Sequence, residues 1–354
     1  MRRALHLIDE NTPGDLLDQL RLLADEGETV VSVGPPPRHA PFTLPAVPTH
    51  RPLNSPALCG WRMRNLANEY SLLHAWSPAA ARAAEAIART RNVSVLRSLA
   101  HVPDKSELKA LLRSMRKRGV HVTVPTSAAR RALLHAGAPS HAVHVLPPPA
   151  EEIDDVQGRR TRTRKALGLS DRETLLVTTA EMTRWAGHKY ASWAHAILRQ
   201  VLPDFRLLLP GGGPAEPQVR FFAATTGYDS EVFFTGDRFR PADALAAADI
   251  VLFFCERDRG VAALVSAMAA GAAIAASHTP DVAECAPHEQ AAVLSQPGDP
   301  RSASAAVLRL REEPGLAQRL GRSARQRAAE YFARGDCRRR LEEIYEAAAA
   351  SAPA

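Results

Sequence analysis

Cysteines, aromatic residues and long apolar runs are all scarce in this chain, and each scarcity excludes something. Four cysteines in 354 residues, Cys59, Cys255, Cys285 and Cys337, lie far apart with no CxxC pair. Neither a disulfide framework nor a cysteine-based zinc site is implied, and a reducing cytoplasm is the natural setting. No stretch approaches about 18 apolar residues, so no segment is expected to span a membrane as a helix. The opening MRRALHLIDENTPG has too short an apolar run for a signal peptide. Aromatics make up 5% of the chain, and none interleave with the basic helix at 106–118. That argues against a single-stranded nucleic-acid surface. HExxH, GxxxxGK[ST] and GxSxG are missing, so zinc-protease, P-loop and α/β-hydrolase readings lack support.

What is present is aliphatic and basic. Apolar residues reach 45%, mostly Ala, Leu and Val, and the net charge is +7, mostly from arginine. A basic excess suits phosphorylated ligands or an anionic membrane surface, and equally an Arg- and Ala-rich composition with no binding role. The length is comfortable for two domains.

Short apolar runs alternate with helical patterns from end to end. In the first half they fall at 4–8, 29–33, 71–76, 93–99, 120–124 and 141–146. In the second they fall at 174–180, 205–210, 231–236, 249–254, 272–277 and 291–296. Strands that are apolar almost throughout are buried on both faces, as in parallel sheets covered by helices. Six per half predict two Rossmann-like, doubly wound α/β domains facing across a cleft. The boundaries read as 1–150, a polar linker at 151–170, a second domain at 171–330, and a C-terminal helix at 331–354 with the option of crossing back to the first domain.

Local signals fill in the pattern. Thr12-Pro13-Gly14-Asp15 reads as an N-cap, a proline at the first helical position and a carboxylate three residues on, with Gly27 as the stop. Residues 34–56 hold eight prolines and read as a long extended loop. Residues 106–118 form an amphipathic helix: Leu108, Leu111, Leu112 and Met115 face inward, and Lys109, Arg113, Arg116, Lys117 and Arg118 face outward. That basic face suits either solvent or anionic headgroups. The Ala-rich tail is expected to fray.

In an open parallel sheet, ligands bind beyond the carboxyl ends of the strands, so the residues there carry the chemistry. Arg184, His188 and Lys189 follow the first strand of the second domain. Gly211 and Gly212 follow the second, and Asp237 and Arg238 the third. Glu256, Arg257 and Asp258 follow the fourth, just before Gly260-Val261-Ala262 opens a helix. Cations and a helix N-terminus together suit a diphosphate, although charged turns and small packing residues are the plainer account of each. In the first domain, His101 lies past the fourth strand, where an imidazole suits proton transfer or a bond to a substrate hydroxyl. His74 lies within a strand and reads as core or near-cleft.

Taken together, RLLLPGGGP, VFFTG, DALAAADIVLFF, SAMAAGAAIAAS and VAECAPHEQAAVLSQPGDP resemble the family 4 glycosyltransferases, retaining and metal-independent enzymes of the GT-B fold. The resemblance covers roughly residues 143–345, with a looser match of layout before it. It implies a nucleotide-sugar donor in the second domain and, in the first, a glycan, lipid-linked or small-molecule acceptor, with no metal or other cofactor. It implies that Arg184 and Lys189 hold the diphosphate and that His101 contacts the donor sugar near the reacting carbon. The family's glycine-rich loop after the first strand is reduced here to Pro13-Gly14-Asp15, with Gly14 in its place.

The resemblance is altered at one point. The family carries two glutamates with seven residues between them, the second just before Ala-Met-Ala-x-Gly. Here those positions hold Asp258 and Ser266. In the family the first carboxylate lies by the donor sugar and the second accepts from ribose hydroxyls. Losing one charge-assisted bond of roughly 1.5–3 kcal/mol would weaken donor binding by about ten- to hundredfold, unless Glu256 supplies the carboxylate. The implied activity is transfer of a hexosyl-type sugar from a nucleoside diphosphate to an acceptor hydroxyl with retention, in glycan or envelope polysaccharide synthesis. A degenerate domain that binds a glycan or partner without turnover, or a nucleotide-sugar epimerase, are the alternatives.

Overall fold

The computed structural model describes residues 2–24, 29–33, 37, 70–91 and 93–350. The proline-rich segment at 34–56, Gly27, Cys59 and the last four residues of the alanine-rich tail lie outside them. The described residues form two compact units. Unit 1 takes Met1–Pro149 and Arg334–Ala354, and unit 2 takes Ala150–Ala333.

Unit 1 is built on six parallel strands: β1 (Arg2–Ile8), β2 (Thr29–Ser32), β3 (Tyr70–Ala75), β4 (Ser94–Ser98), β5 (His121–Val124) and β6 (Val143–Val145). Their order is β2-β1-β3-β4-β5-β6. Helices α1 (Gly14–Leu23), α2 (Pro78–Ala88), α3 (Lys105–Arg118) and α4 (Ser127–His135) are the crossovers. The last helix of the chain, α13 (Arg334–Ala350), packs Cys337, Leu341, Ile344, Tyr345 and Ala348 on Ala4, Leu23, Leu72, Leu96 and Leu146. The helix runs on through the alanines to 350, because its buried face carries that run; the expected fraying does not begin before then. Polar groups stitch this layer together. His74 sits wholly inside, with Nδ1 2.9 Å from the Tyr345 hydroxyl and Nε2 2.8 Å from Ser98 Oγ. Burial first, and nearby His6 second, hold its pKa well below the usual imidazole value.

Unit 2 has the second set of six: β7 (Thr174–Val177), β8 (Phe205–Pro210), β9 (Val232–Gly236), β10 (Ile250–Phe253), β11 (Ala273–Ser277) and β12 (Val293–Ser295). All pair in parallel in the order β12-β11-β10-β7-β8-β9. The helices are α5 (Val156–Ala166), α6 (His188–Val201), α7 (Glu216–Thr225), α8 (Pro241–Ala247), α9 (Val261–Ala269), α10 (Pro280–Cys285), α11 (Pro300–Glu312) and α12 (Leu316–Tyr331). All twelve apolar runs are therefore strands, because residues buried on both sheet faces leave a continuous apolar signature. No helix of the described residues is long and apolar enough to cross a membrane.

Two local readings differ. Thr12 does not cap α1. Its hydroxyl accepts from Asp9 N–H at 2.9 Å inside a tight turn, and Pro13 stands at the N-cap with no side-chain bond. The stretch read as a linker is instead packed structure. In α5, Arg164 is buried and donates to Asp249 Oδ2 at 2.9 Å and to the Ser170 and Glu173 carbonyls. Arg160 reaches Asp249 Oδ1 at 2.5 Å. A polar composition suggests a tether, but arginines paired with a carboxylate and carbonyls can be buried.

Candidate functional site

Strands β8 and β9 extend the unit 2 sheet to one side of β7, and β11 and β12 extend it beyond β10 on the other. The strand order reverses between β7 and β10, and the crevice outside their carboxyl ends is where such sheets bind ligands. The loops leaving these strands are 178–187 and 254–260.

Those loops are locked together by backbone. Glu256 N–H donates to the Trp185 carbonyl at 3.1 Å. Gly187, at φ +85°, passes so close to the end of β10 that a Cβ there would lie 1.8 Å from the Phe254 carbonyl oxygen. No other residue fits this position. The loop after β8 joins them: Met182 N–H donates to the Gly212 carbonyl at 3.0 Å and Ala215 N–H to the Met182 carbonyl at 2.8 Å. Gly211 N–H in turn donates to the Gly236 carbonyl.

This frame gathers the charged candidates. Lys189 Nζ lies 2.7 Å from Glu256 Oε1. Partial burial opposes the ammonium, but bonds to Glu256 and Tyr190 outweigh it and raise the Lys189 pKa. Arg184 is exposed, its guanidinium 4.6 Å from the Trp185 ring centroid, and Arg257 approaches the same ring at 4.2 Å. His188 opens α6 fully buried. Its ring lies against the Ala180 backbone without a well-formed hydrogen bond, and burial lowers its pKa to about 4. The imidazole is therefore neutral at neutral pH.

Helix α9 points its N-terminus into the same rim. Gly260 turns the chain at φ +72°, against Ala180 and Phe253. The first intrahelical bond is Leu264 N–H to the Gly260 carbonyl, so the N–H groups of residues 261–263 face out of the helix end. Val261 contributes only backbone, since its side chain is in the core, and Ala262 is half-buried. Ser266 Oγ donates to the Ala262 carbonyl at 3.0 Å, folding back on its own helix. Asp258 Oδ1 accepts from Asp281 N–H at 2.9 Å and so caps α10.

The structure thus brings Arg184, Lys189, Gly211, Gly212, Glu256, Asp258, Gly260, Val261, Ala262 and Ser266 to one edge of one sheet. Arg238 goes elsewhere. The tight turn after β9 sends its guanidinium to the Ala166 carbonyl on α5, 3.1 Å away. There it lines a cavity of about 520 Å³ with Arg220, Phe233 and Thr235. That cavity flanks the β9 edge, away from the switch point. We place the site at the convergent charge rather than at this volume. Gly14 and His101 belong to unit 1, following β1 and β4 at the carboxyl ends of that sheet. Trp185 was not among the sequence candidates. Its role as a shared platform has no spacing signal, because the two arginines come from different loops.

Residues 159–327 match the family of glycosyl transferases group 1. Unit 2 carries a domain of that family. The chain is also 25% identical over 186 residues to N-acetyl-alpha-D-glucosaminyl L-malate synthase of Bacillus anthracis. That match covers 52% of this chain and 48% of the synthase, so the chain aligns with about half the length of this curated relative. Among solved structures, Anabaena HepE in complex with UDP-glucose superposes with a TM-score of 0.84 at 16% identity, covering 97% of this chain and 99% of that one. Sucrose-phosphate synthase from Thermosynechococcus elongatus superposes at 0.76 with 16% identity, covering 98% of each chain. At such identity the likeness is one of fold, two parallel-sheet α/β domains of the GT-B type.

Proposed function

We propose that the protein is a glycosyltransferase that moves a sugar from a nucleoside-diphosphate donor to an acceptor hydroxyl with retention. One observation carries this reading: Arg184, Lys189 and the N-terminus of α9 converge at the switch point of a group 1 domain. Fixed donors aimed where negative charge develops stabilise a departing diphosphate. Retention then follows from departure and attack on the same face of the sugar, with Asp258 orienting it. In this reading the cations do the work of a metal, and activity should survive EDTA. The acceptor is a glycan, lipid-linked or small-molecule hydroxyl in glycan or envelope polysaccharide synthesis, and the setting is cytoplasmic. Contact with an anionic membrane would use the outer face of α3, where Arg116 already donates to the Gly137 carbonyl and Arg118 pairs with Glu85.

Isothermal titration with UDP, GDP and ADP tests the reading. Binding of one of them in the micromolar to millimolar range is expected; no binding of any of the three overturns it.

A second reading, a domain that binds without turnover, is favoured by the inward bonds of Ser266 and Asp258. It expects neither transfer nor donor hydrolysis from a donor that binds.

A further inference from the structure

The loops leaving β7 and β10 at the switch point carry the carboxylates of Glu181, Glu256 and Asp258. Two of them are engaged. Glu256 Oε1 lies 2.7 Å from Lys189 Nζ, and Asp258 Oδ1 accepts from Asp281 N–H at 2.9 Å. The carboxylate of Glu181 has no hydrogen bond or ion pair among the described residues.

The backbone fixes Glu181 from both sides. Ala180 packs against Gly260, the N-cap of α9. Met182 is bonded through its N–H to the Gly212 carbonyl and through its carbonyl to Ala215 N–H. Between them the chain turns sharply, with Thr183 N–H donating to the Glu181 carbonyl at 2.8 Å. Glu181 therefore stands between the N-terminus of α9 and the glycine loop after β8. Its side chain is open to solvent, yet enough protein surrounds the carboxyl that burial raises its pKa above the ordinary carboxylate value. A group both accessible and short of water is what a crevice produces.

A carboxylate in such a place is stabilised by a ligand that brings hydrogen-bond donors. Phosphates bring acceptors and negative charge, so a carboxylate repels them. Hydroxyls donate, and a charged acceptor binds them more strongly than a neutral one. Ser266, where the resemblance expects a carboxylate for ribose, spends its own hydrogen on the Ala262 carbonyl.

We propose that Glu181 accepts hydrogen bonds from hydroxyls of the bound donor, on its ribose or its sugar. This rests on the reading of unit 2 as a nucleoside-diphosphate site. It leaves Arg184, Lys189 and the N-terminus of α9 with the phosphates, and adds a carboxylate that the resemblance does not supply.

The test is titration of the full chain, and of Glu181→Gln and Glu181→Ala, with three probes: the nucleoside diphosphate that the wild type binds, its hexose conjugate, and inorganic pyrophosphate. Both variants are expected to weaken at least one hydroxyl-bearing probe about tenfold. Pyrophosphate should bind as tightly as to the wild type, or several-fold more tightly, because a negative charge has gone. If ribose supplies the hydroxyl, the loss appears with the nucleoside diphosphate and vanishes with its 2′-deoxy or 3′-deoxy form; if the sugar does, it appears with the conjugate alone. An unfolding midpoint equal to that of the wild type excludes a folding cause. Equal weakening of all three probes, or unchanged affinity for both hydroxyl-bearing probes, overturns the inference and leaves the transferase reading intact. A wild-type chain that binds no nucleoside diphosphate overturns both.

Discussion

The rim of unit 2 has two halves of different character. On one side, Arg184, Lys189 and Arg257 are charged groups held by an indole and a carboxylate at the ends of β7 and β10. On the other, Asp258 accepts from Asp281 N–H at the start of α10, and Ser266 donates to the Ala262 carbonyl of its own helix α9. The side that would meet phosphate is built outward, and the side that would meet ribose and sugar is turned inward. A serine where the resemblance expects the second carboxylate therefore leaves the cationic half in place. On the reading proposed above, donor recognition would lean on charge more than on hydroxyl contacts, and affinity should fall as salt rises.

The largest expected effect comes from breaking the joint that supports both halves. Gly187→Ala places a methyl group against the Phe254 carbonyl in a left-handed conformation. We expect a loss of stability on the order of 3 kcal/mol or more, read as a lower urea midpoint, together with loss of nucleotide binding.

Acid comes next, through the imidazoles of α6 beside the cationic half. His188 and His195 have folded pKa values of about 4, set first by burial. An unfolded imidazole titrates near 6.5, so the unfolded chain takes up the proton first. The stabilisation is fully present above about pH 6.5 and is lost as pH falls from there towards 4. Between pH 7 and 5 each group should cost about 2 kcal/mol. Urea unfolding at the two pH values checks this, and His188→Leu should shrink the difference by one such step.

Ser266→Glu sharpens the comparison from the other side. It restores a carboxylate where ribose hydroxyls are expected and should tighten nucleoside diphosphate binding by about tenfold. A variant that binds no better would mean that the inward turn of this half is its working form. The smallest effect is that of Asp258→Ala. Removing the bond to Asp281 N–H should lower stability by about 1 kcal/mol, measured by thermal unfolding, whatever it does to transfer.

The strands were legible in sequence because burial on both faces writes an uninterrupted apolar run. The placing of Arg184, Lys189 and Gly260 beyond the carboxyl ends of strands followed, since a parallel sheet puts all of its βα loops at one end. What was illegible depended on partners distant in sequence. Nothing near Arg164 announces that Asp249 will bury it, so residues 151–170 read as a tether. The Thr12 hydroxyl had two local destinations, and the turn at Asp9 prevailed over the cap. Ser266 was visible as a serine where the resemblance expects a carboxylate, but its bond to the Ala262 carbonyl was not, because a serine within a helix can turn outward or back. Arg257 was read as strand-end charge, and only the fold shows it sharing a ring with Arg184.

Helix α13 has a consequence for how the molecule is made. The chain leaves unit 1 at Pro149 and returns at Arg334, and the hydroxyl that meets His74 belongs to Tyr345. During synthesis every residue of unit 2 emerges before the final layer of unit 1 exists. Until then Leu72, Leu96 and the His74 imidazole await their cover. Unit 1, begun before unit 2, is therefore completed after it, and a chain stopped before α13 leaves that face of the unit 1 sheet uncovered.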